Sequence, residues 1–222
     1  MDNTKAIRLA ILLTCYNRKE KTVQCLSTLL KTIPVNIDVE LYLVDDGCTD
    51  GTSDAVKAIF PNTNILTGNG ALFWNMGMRF AFSEAIKQEY SYYLWINDDV
   101  IFENNIIAKL LDSIRIASNP NNTILVGYTT DASKEKITYG GYIRKKNFIP
   151  LELEMVKPGK KLKRCDTFNG NCVLIPESVV HLIGINSDKY RHGFGDIDYG
   201  FRASEQGVEC LLTNYSVGVC EK

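Results

Sequence analysis

Short apolar runs with strand character alternate with segments whose apolar residues recur at helical spacing, and this alternation, sustained from residue 6 to residue 128, confines the chain to an α/β architecture. Residues 6–13 are almost continuously apolar, and Ile37, Val39, Leu41 and Leu43 alternate over 37–44. Both read as strands. Between them Val23, Leu26, Leu30 and Ile33 predict a helix over 18–33 behind the polar turn Arg18–Lys21. Helices over about 51–60, 74–89 and 103–118 and strands at 63–67, 92–96 and 123–128 continue the pattern. The expected fold is a mostly parallel central sheet with helices on both faces. From 129 the alternation fails: 129–143 reads as extended and 144–164 as a polar, basic loop. A strand at 172–175, a short helix opened by Pro176, a helix over 194–205 and a strand near 208–213 follow. Residues 1–128 are thus expected to form one half of a single domain, and 129–222 a smaller second half.

With 222 residues, 45% of them hydrophobic, the chain can bury one substantial core. Its 25 Lys+Arg against 26 Asp+Glu leave a formal charge of −1, so there is no general attraction to nucleic acid. No apolar stretch approaches the roughly 20 residues that cross a bilayer, and Met1–Lys5 lacks the features of a secretory signal. A cytoplasmic location is expected. The seven cysteines, an odd number without C-x-x-C, are expected as reduced, buried thiols. Only two histidines, His181 and His192, are present, which excludes a multi-histidine zinc site. Between Arg144 and Arg164 eight basic residues face Glu152 and Glu154. This is either a solvated hairpin or a surface for an anionic partner such as the inner face of a membrane.

In an open parallel sheet, ligands bind beyond the carboxyl ends of the strands. Four successive ends are polar here: Thr14-Cys15-Tyr16-Asn17-Arg18, Asp45-Asp46-Gly47, Gly68-Asn69-Gly70 and Asn97-Asp98-Asp99. Each alone would serve as a turn or helix cap; together they point to a ligand rim. Adjacent carboxylates repel unless a cation or donors compensate. Asp98-Asp99 therefore implies a divalent metal, Mg²⁺ or Mn²⁺, sharing its coordination shell with a nucleotide diphosphate. Thr14 and the Asp45-Asp46 pair are expected near the base and ribose. Gly68–Gly70 does not complete G-x-G-x-x-G, and neither a P-loop nor G-x-S-x-G is present, which disfavours dehydrogenases, P-loop phosphotransferases and Ser hydrolases. Downstream, Asp196 and Asp198 open a helix within His192–Arg202. Asp196 is the expected general base, provided folding brings it to the rim. His192 is read as a surface residue rather than a metal ligand.

These residues resemble those of family 2 glycosyltransferases, inverting enzymes of the GT-A fold. Thr14–Arg18 matches their Thr-x-Tyr-Asn-Arg opening, and Val44–Thr52 their Val-Asp-Asp-Gly-Ser-x-Asp-Gly-Thr segment. Asn97-Asp98-Asp99 corresponds to their Asp-x-Asp region with Asn in first place, and Gly195-Asp196 to their Glu-Asp motif with Glu lost. The resemblance implies a nucleotide-sugar donor and a saccharide or lipid-linked saccharide acceptor. It implies Asp99 as metal ligand, Asp98 on the ribose or diphosphate side, Asp196 as base, and Asp198 and Arg202 as acceptor contacts or supports of the helix. Further nucleotide contacts would come from Thr14, Tyr16, Asn17, Arg18, Asp45, Asp46, Gly70 and Asn75. The segment Asn69–Met78 looks like that of bacterial polysaccharide-assembly members, which would put Phe73 and Trp74 near the sugar unless they pack in the core. Family members often continue further, so part of an acceptor site is expected to be missing. Two other readings are a decayed sugar-binding module and a nucleotidyltransferase; the latter is disfavoured because no Gly-rich loop follows the first strand.

Overall fold

The computed structural model describes residues 6–31, 33–145 and 151–221. Strand β1 (Ile7–Cys15) is followed by α1 (Lys19–Leu30), β2 (Ile37–Asp45), α2 (Thr52–Ile59), β3 (Asn64–Thr67), α3 (Phe73–Ala85) and β4 (Tyr92–Ile96). Next come β5 (Ile101–Phe102), α4 (Ile106–Arg115), β6 (Thr123–Thr130), β7 (Ile137–Tyr139) and β8 (Gly141–Arg144). The chain ends through β9 (Leu153–Met155), β10 (Lys163–Cys165), β11 (Thr167–Phe168), β12 (Cys172–Pro176), α5 (Glu177–Ile183), α6 (Gly195–Glu205) and β13 (Glu209–Val219).

The main sheet runs β10-β13-β6-β12-β4-β1-β2-β3. Along this path β12 and β10 oppose the common direction, because β12 pairs antiparallel with both β4 and β6 while β13 runs parallel to β6; the short β5 and β7, which pair antiparallel with β13 and β6, oppose it too. The sheet is therefore mostly parallel, as expected. Along β1 the side chains alternate between two cores. Leu9, Ile11 and Leu13 pack with Leu26 of α1, Val56 of α2 and Leu110 of α4, whereas Ala10 and Leu12 pack with Met78 and Phe82 of α3 and Tyr199 of α6. Burial on both faces is why β1 reads as an unbroken apolar run.

The region after 129 is more ordered than its polarity implies. Within 144–164, β9 joins β8 and β11 in a small second sheet, and β10 extends the edge of the main one. The final strand also outruns its expected end at 213, reaching Val219 through register shifts around Ser216. These are tertiary effects: pairing partners distant in sequence supply hydrogen bonds that local pattern does not reveal. Residues 146–150 of the basic segment lie outside the described residues; Lys145 is paired with Glu152 at 2.8 Å.

Candidate active site

Parallel register aligns the strand ends. Cys15 of β1 is level with Asp45 of β2, which is level with Thr67 of β3, and Asn97 follows the end of β4 alongside. The antiparallel β12 contributes its beginning instead of its end, so Asn169–Asn171 come to the same rim; Asn97 N–H bonds to the Asn171 carbonyl at 3.3 Å.

Much of the polar chemistry here holds the rim together. Asp46, 4% exposed, accepts N–H bonds from Gly70 (2.9 Å), Leu72 (2.9 Å) and Phe73 (3.1 Å) and so shapes the turn that opens α3. Within that turn Gly70 and Phe73 are both left-handed, at φ 79° and 56°; Gly tolerates this, and a bulky residue does so only when its surroundings impose it. Asp45 accepts from Cys48 N–H (2.6 Å) and from the Ser53 hydroxyl, while Asn17 accepts from Thr49 N–H (2.7 Å). Thr14, Tyr16, Asp46, Trp74, Asp98 and His192 are among the walls of a cavity of about 290 Å³. Trp74 is half-buried and bonds through Nε1 to Asn97 Oδ1 at 2.7 Å, so it packs against Trp95 and still faces the cavity.

Arg18 forks across the carboxylate pair: Nη1 lies 3.0 Å from Asp98 Oδ1 and Nη2 2.6 Å from Asp99 Oδ2. Burial pushes the Asp98 carboxyl up to about 6, with Asp99 adding to the rise and Arg18 opposing it. The second Asp98 oxygen is buried without a hydrogen-bond partner. Asp99 Oδ1 takes a thiol contact from Cys220 at 3.4 Å.

Asp196 does arrive at this rim. It lines a wider cleft of about 550 Å³ together with Asp99, Asn169 and Phe194, and that cleft shares Arg18, Trp74, Asn97 and His192 with the first cavity. Its Oδ2 accepts from Gly170 N–H and its Oδ1 from Ile197 N–H, both at 2.9 Å. Burial raises its pKa while these bonds pull it down. Gly170 is small for a reason: a Cβ there would run into the Trp74 ring.

Asn75 has a different task from the nucleotide contact expected of it. It is fully buried and donates to the carbonyls of Ser187 (2.8 Å) and Tyr190 (2.5 Å), and Asn186 Nδ2 returns a bond to its Oδ1 at 2.7 Å. This tethers the segment before α6 to α3. The same amide occupies the space a Cβ at Gly195 would need, which explains why residue 195 is Gly. Asp198 accepts from Arg202 Nε at 2.9 Å, and Arg202 also donates to the carbonyls of Ile183 (2.7 Å) and Ile185 (3.0 Å). Six of the seven thiols are buried, Cys48 is half-buried, and all are free.

Among the described residues no group of three His, Cys, Asp or Glu side chains converges as a metal cage. The donors present, hard carboxylate oxygens with one buried oxygen unpartnered, fit a cation that arrives with phosphates and waters to complete its shell. Sequence reasoning missed Asn169–Asn171, because nothing local shows that β12 enters antiparallel and starts at the rim. It also missed Phe194, 67% exposed beside the cleft; Phe73, expected with Trp74 either near the sugar or in the core, is 48% exposed and lines the first cavity. Among the described residues no helix is long and apolar enough to cross a membrane.

A family model described as "Glycosyl transferase family 2" matches residues 10–169. No curated protein matches the chain. Among solved structures, a mannosyltransferase from Pyrobaculum calidifontis in complex with GDP-Man and Mn²⁺ superposes with a TM-score of 0.69 at 12% identity, over 98% of this chain and 57% of that one. GalNAc-T7 with UDP, GalNAc and Mn²⁺ gives a TM-score of 0.68 at 11% identity, over 96% of this chain and 43% of that one. The chain thus spans about half the length of these structures, and at such identity the likeness is one of fold.

Proposed function

The chain belongs to glycosyl transferase family 2 and has the GT-A fold, and on that premise we propose that it transfers a sugar from a UDP- or dTDP-linked donor to an acceptor hydroxyl with inversion. The pathway proposed is assembly of a cell-surface polysaccharide, with a saccharide or lipid-linked saccharide as acceptor. The observation that carries this reading is that Asp99 and Asp196, far apart in sequence, line one cleft.

In the proposed reaction Asp196 takes the acceptor hydroxyl's proton as its oxygen bonds to the anomeric carbon and the bond to the diphosphate breaks. The N–H bonds from Gly170 and Ile197, with the Asn169 side chain beside them, fix the carboxylate's plane and still leave it a lone pair for that proton. Burial makes it a stronger base than a solvated aspartate. Thr14, Tyr16 and Asp46 flank the base and ribose, and Asp98 faces the ribose or diphosphate. Asp99 would hold the Mg²⁺ or Mn²⁺ ion, which when bound neutralises charge on the leaving diphosphate. Residues 1–128 serve the donor and 129–222 supply the base and acceptor side; the basic 144–164 segment offers contact with an anionic membrane surface on the cytoplasmic side. Nucleotide release from UDP- and dTDP-sugars in the presence of Mn²⁺ tests the reading. Release that disappears in Asp99→Ala is expected; no release from any donor, with no nucleotide binding by calorimetry, rejects it.

A further inference from the structure

The Arg18 guanidinium holds one oxygen of each carboxylate of the pair that a cation at Asp99 would meet. Its Nη2 sits 2.6 Å from Asp99 Oδ2 and its Nη1 3.0 Å from Asp98 Oδ1, so one positive charge spans two negative ones. The backbone beneath it is anchored, since the Arg18 carbonyl accepts from the Thr22 N–H (2.9 Å) and hydroxyl (3.0 Å). The side chain is 38% exposed and borders both parts of the cleft, so it can leave the carboxylates by rotamer change alone. A divalent ion entering by itself would have to evict the guanidinium and then lie beside it, like charge against like charge. It would also find no third His, Cys, Asp or Glu among the described residues to complete its shell. A diphosphate resolves both difficulties. Its oxygens can ligate the ion, and others can take the guanidinium fork in place of the carboxylates.

We infer that Arg18 is a built-in competitor of the divalent cation, closing the Asp98–Asp99 pair until a nucleotide diphosphate arrives and takes the guanidinium. The inference rests on the proposed assignment of Asp99 as cation ligand and adds that cation and nucleotide bind cooperatively through Arg18. Coupling of this kind is reciprocal: whatever factor the nucleotide adds to cation affinity, the cation adds to nucleotide affinity.

The test follows free Mn²⁺ by its electron paramagnetic resonance signal, with and without UDP or dTDP, in the unaltered chain, Arg18→Gln and Arg18→Lys. In the unaltered chain, nucleotide should tighten Mn²⁺ binding at least about tenfold, within the usual range of coupling between sites. Arg18→Gln should bind Mn²⁺ alone about tenfold more tightly than the unaltered chain, and nucleotide should add little further. Arg18→Lys keeps the charge but loses the fork, and its nucleotide-free affinity should lie between the two. It carries the comparison if Arg18→Gln fails to show a native circular dichroism spectrum. Equal nucleotide-free Mn²⁺ affinity in the unaltered chain and the folded variants overturns the inference while leaving Asp99 as ligand. Absence of Mn²⁺ binding in every form, even with nucleotide, overturns the cation assignment and the inference with it.

Discussion

Asp196 is held by two backbone N–H groups, which lower its pKa, in surroundings whose burial raises it further, so that its carboxyl ionises above the usual value of 3.8. Two consequences of opposite sign follow. As a base it must be ionised, so the acid limb of the rate profile for donor turnover is expected above the ordinary carboxylate range. For folding, the neutral carboxyl is favoured in the native state. Its contribution to stability is therefore fully present below pH 3.8 and is lost as the pH rises through the native value. Asp196→Asn should flatten that part of the stability profile measured by urea unfolding. It should also leave nucleotide binding intact and slow transfer by at least about a hundredfold. Transfer within a few-fold of normal would remove Asp196 from the role of base. The residue itself was legible in the sequence, because acidic residues opening a helix beside a Gly-rich turn form a local pattern. Its hydrogen-bond partner Gly170 was not, because the two meet only through the packing of α6 on β11, just ahead of Gly170.

At the scale of elements, two packing contacts govern the site's shape. The Asp46 carboxylate, just after β2, caps the turn into α3 through Gly70, Leu72 and Phe73. Asp46→Ala would orphan these donors, and denaturant unfolding should show a loss of at least about 1–3 kcal/mol, the cost of one buried unsatisfied group. Donor affinity should fall along with it; unchanged stability would mean that water replaces the carboxylate and that the turn does not depend on it. The second contact joins α3 to α6. Gly195→Ala would drive a methyl group into the Asn75 amide and should cost about 1–3 kcal/mol, as overpacking in a close-fitted core does. A Gly195→Ala protein as stable as the parent would show that Asn75 can retreat from the bonds it makes to 187–190. Helix and strand periodicity revealed these elements but not their contacts. Asn75 sits in the first turn of α3 like any polar residue there, and only the arrival of Asn186 and Tyr190 beside it gives it partners.

For the whole molecule, the cleft lies across two runs of chain: β1, β2 and β4 supply one wall, and β12 with the start of α6 the other. A ligand bridging them binds only the folded state. UDP or dTDP with Mn²⁺ at about a hundred times its Kd should therefore stabilise the protein by about 2.7 kcal/mol and raise Tm by several degrees. A Tm indifferent to both nucleotides, with and without Mn²⁺, would count against the proposed donor class. The amino-acid sequence by itself determined the α/β class, the succession of strands and helices to residue 128 apart from the two-residue β5, and the four polar strand ends, since apolar period and turn chemistry are properties of neighbouring residues. The tertiary structure alone decided that β12 inserts antiparallel, that part of 144–164 pairs into sheets, that Asp196 reaches the cleft of Asp99, and that Arg18 bridges Asp98 and Asp99. Each of these depends on which distant segments pack together, and that is settled by the burial and hydrogen bonding of the whole chain at once.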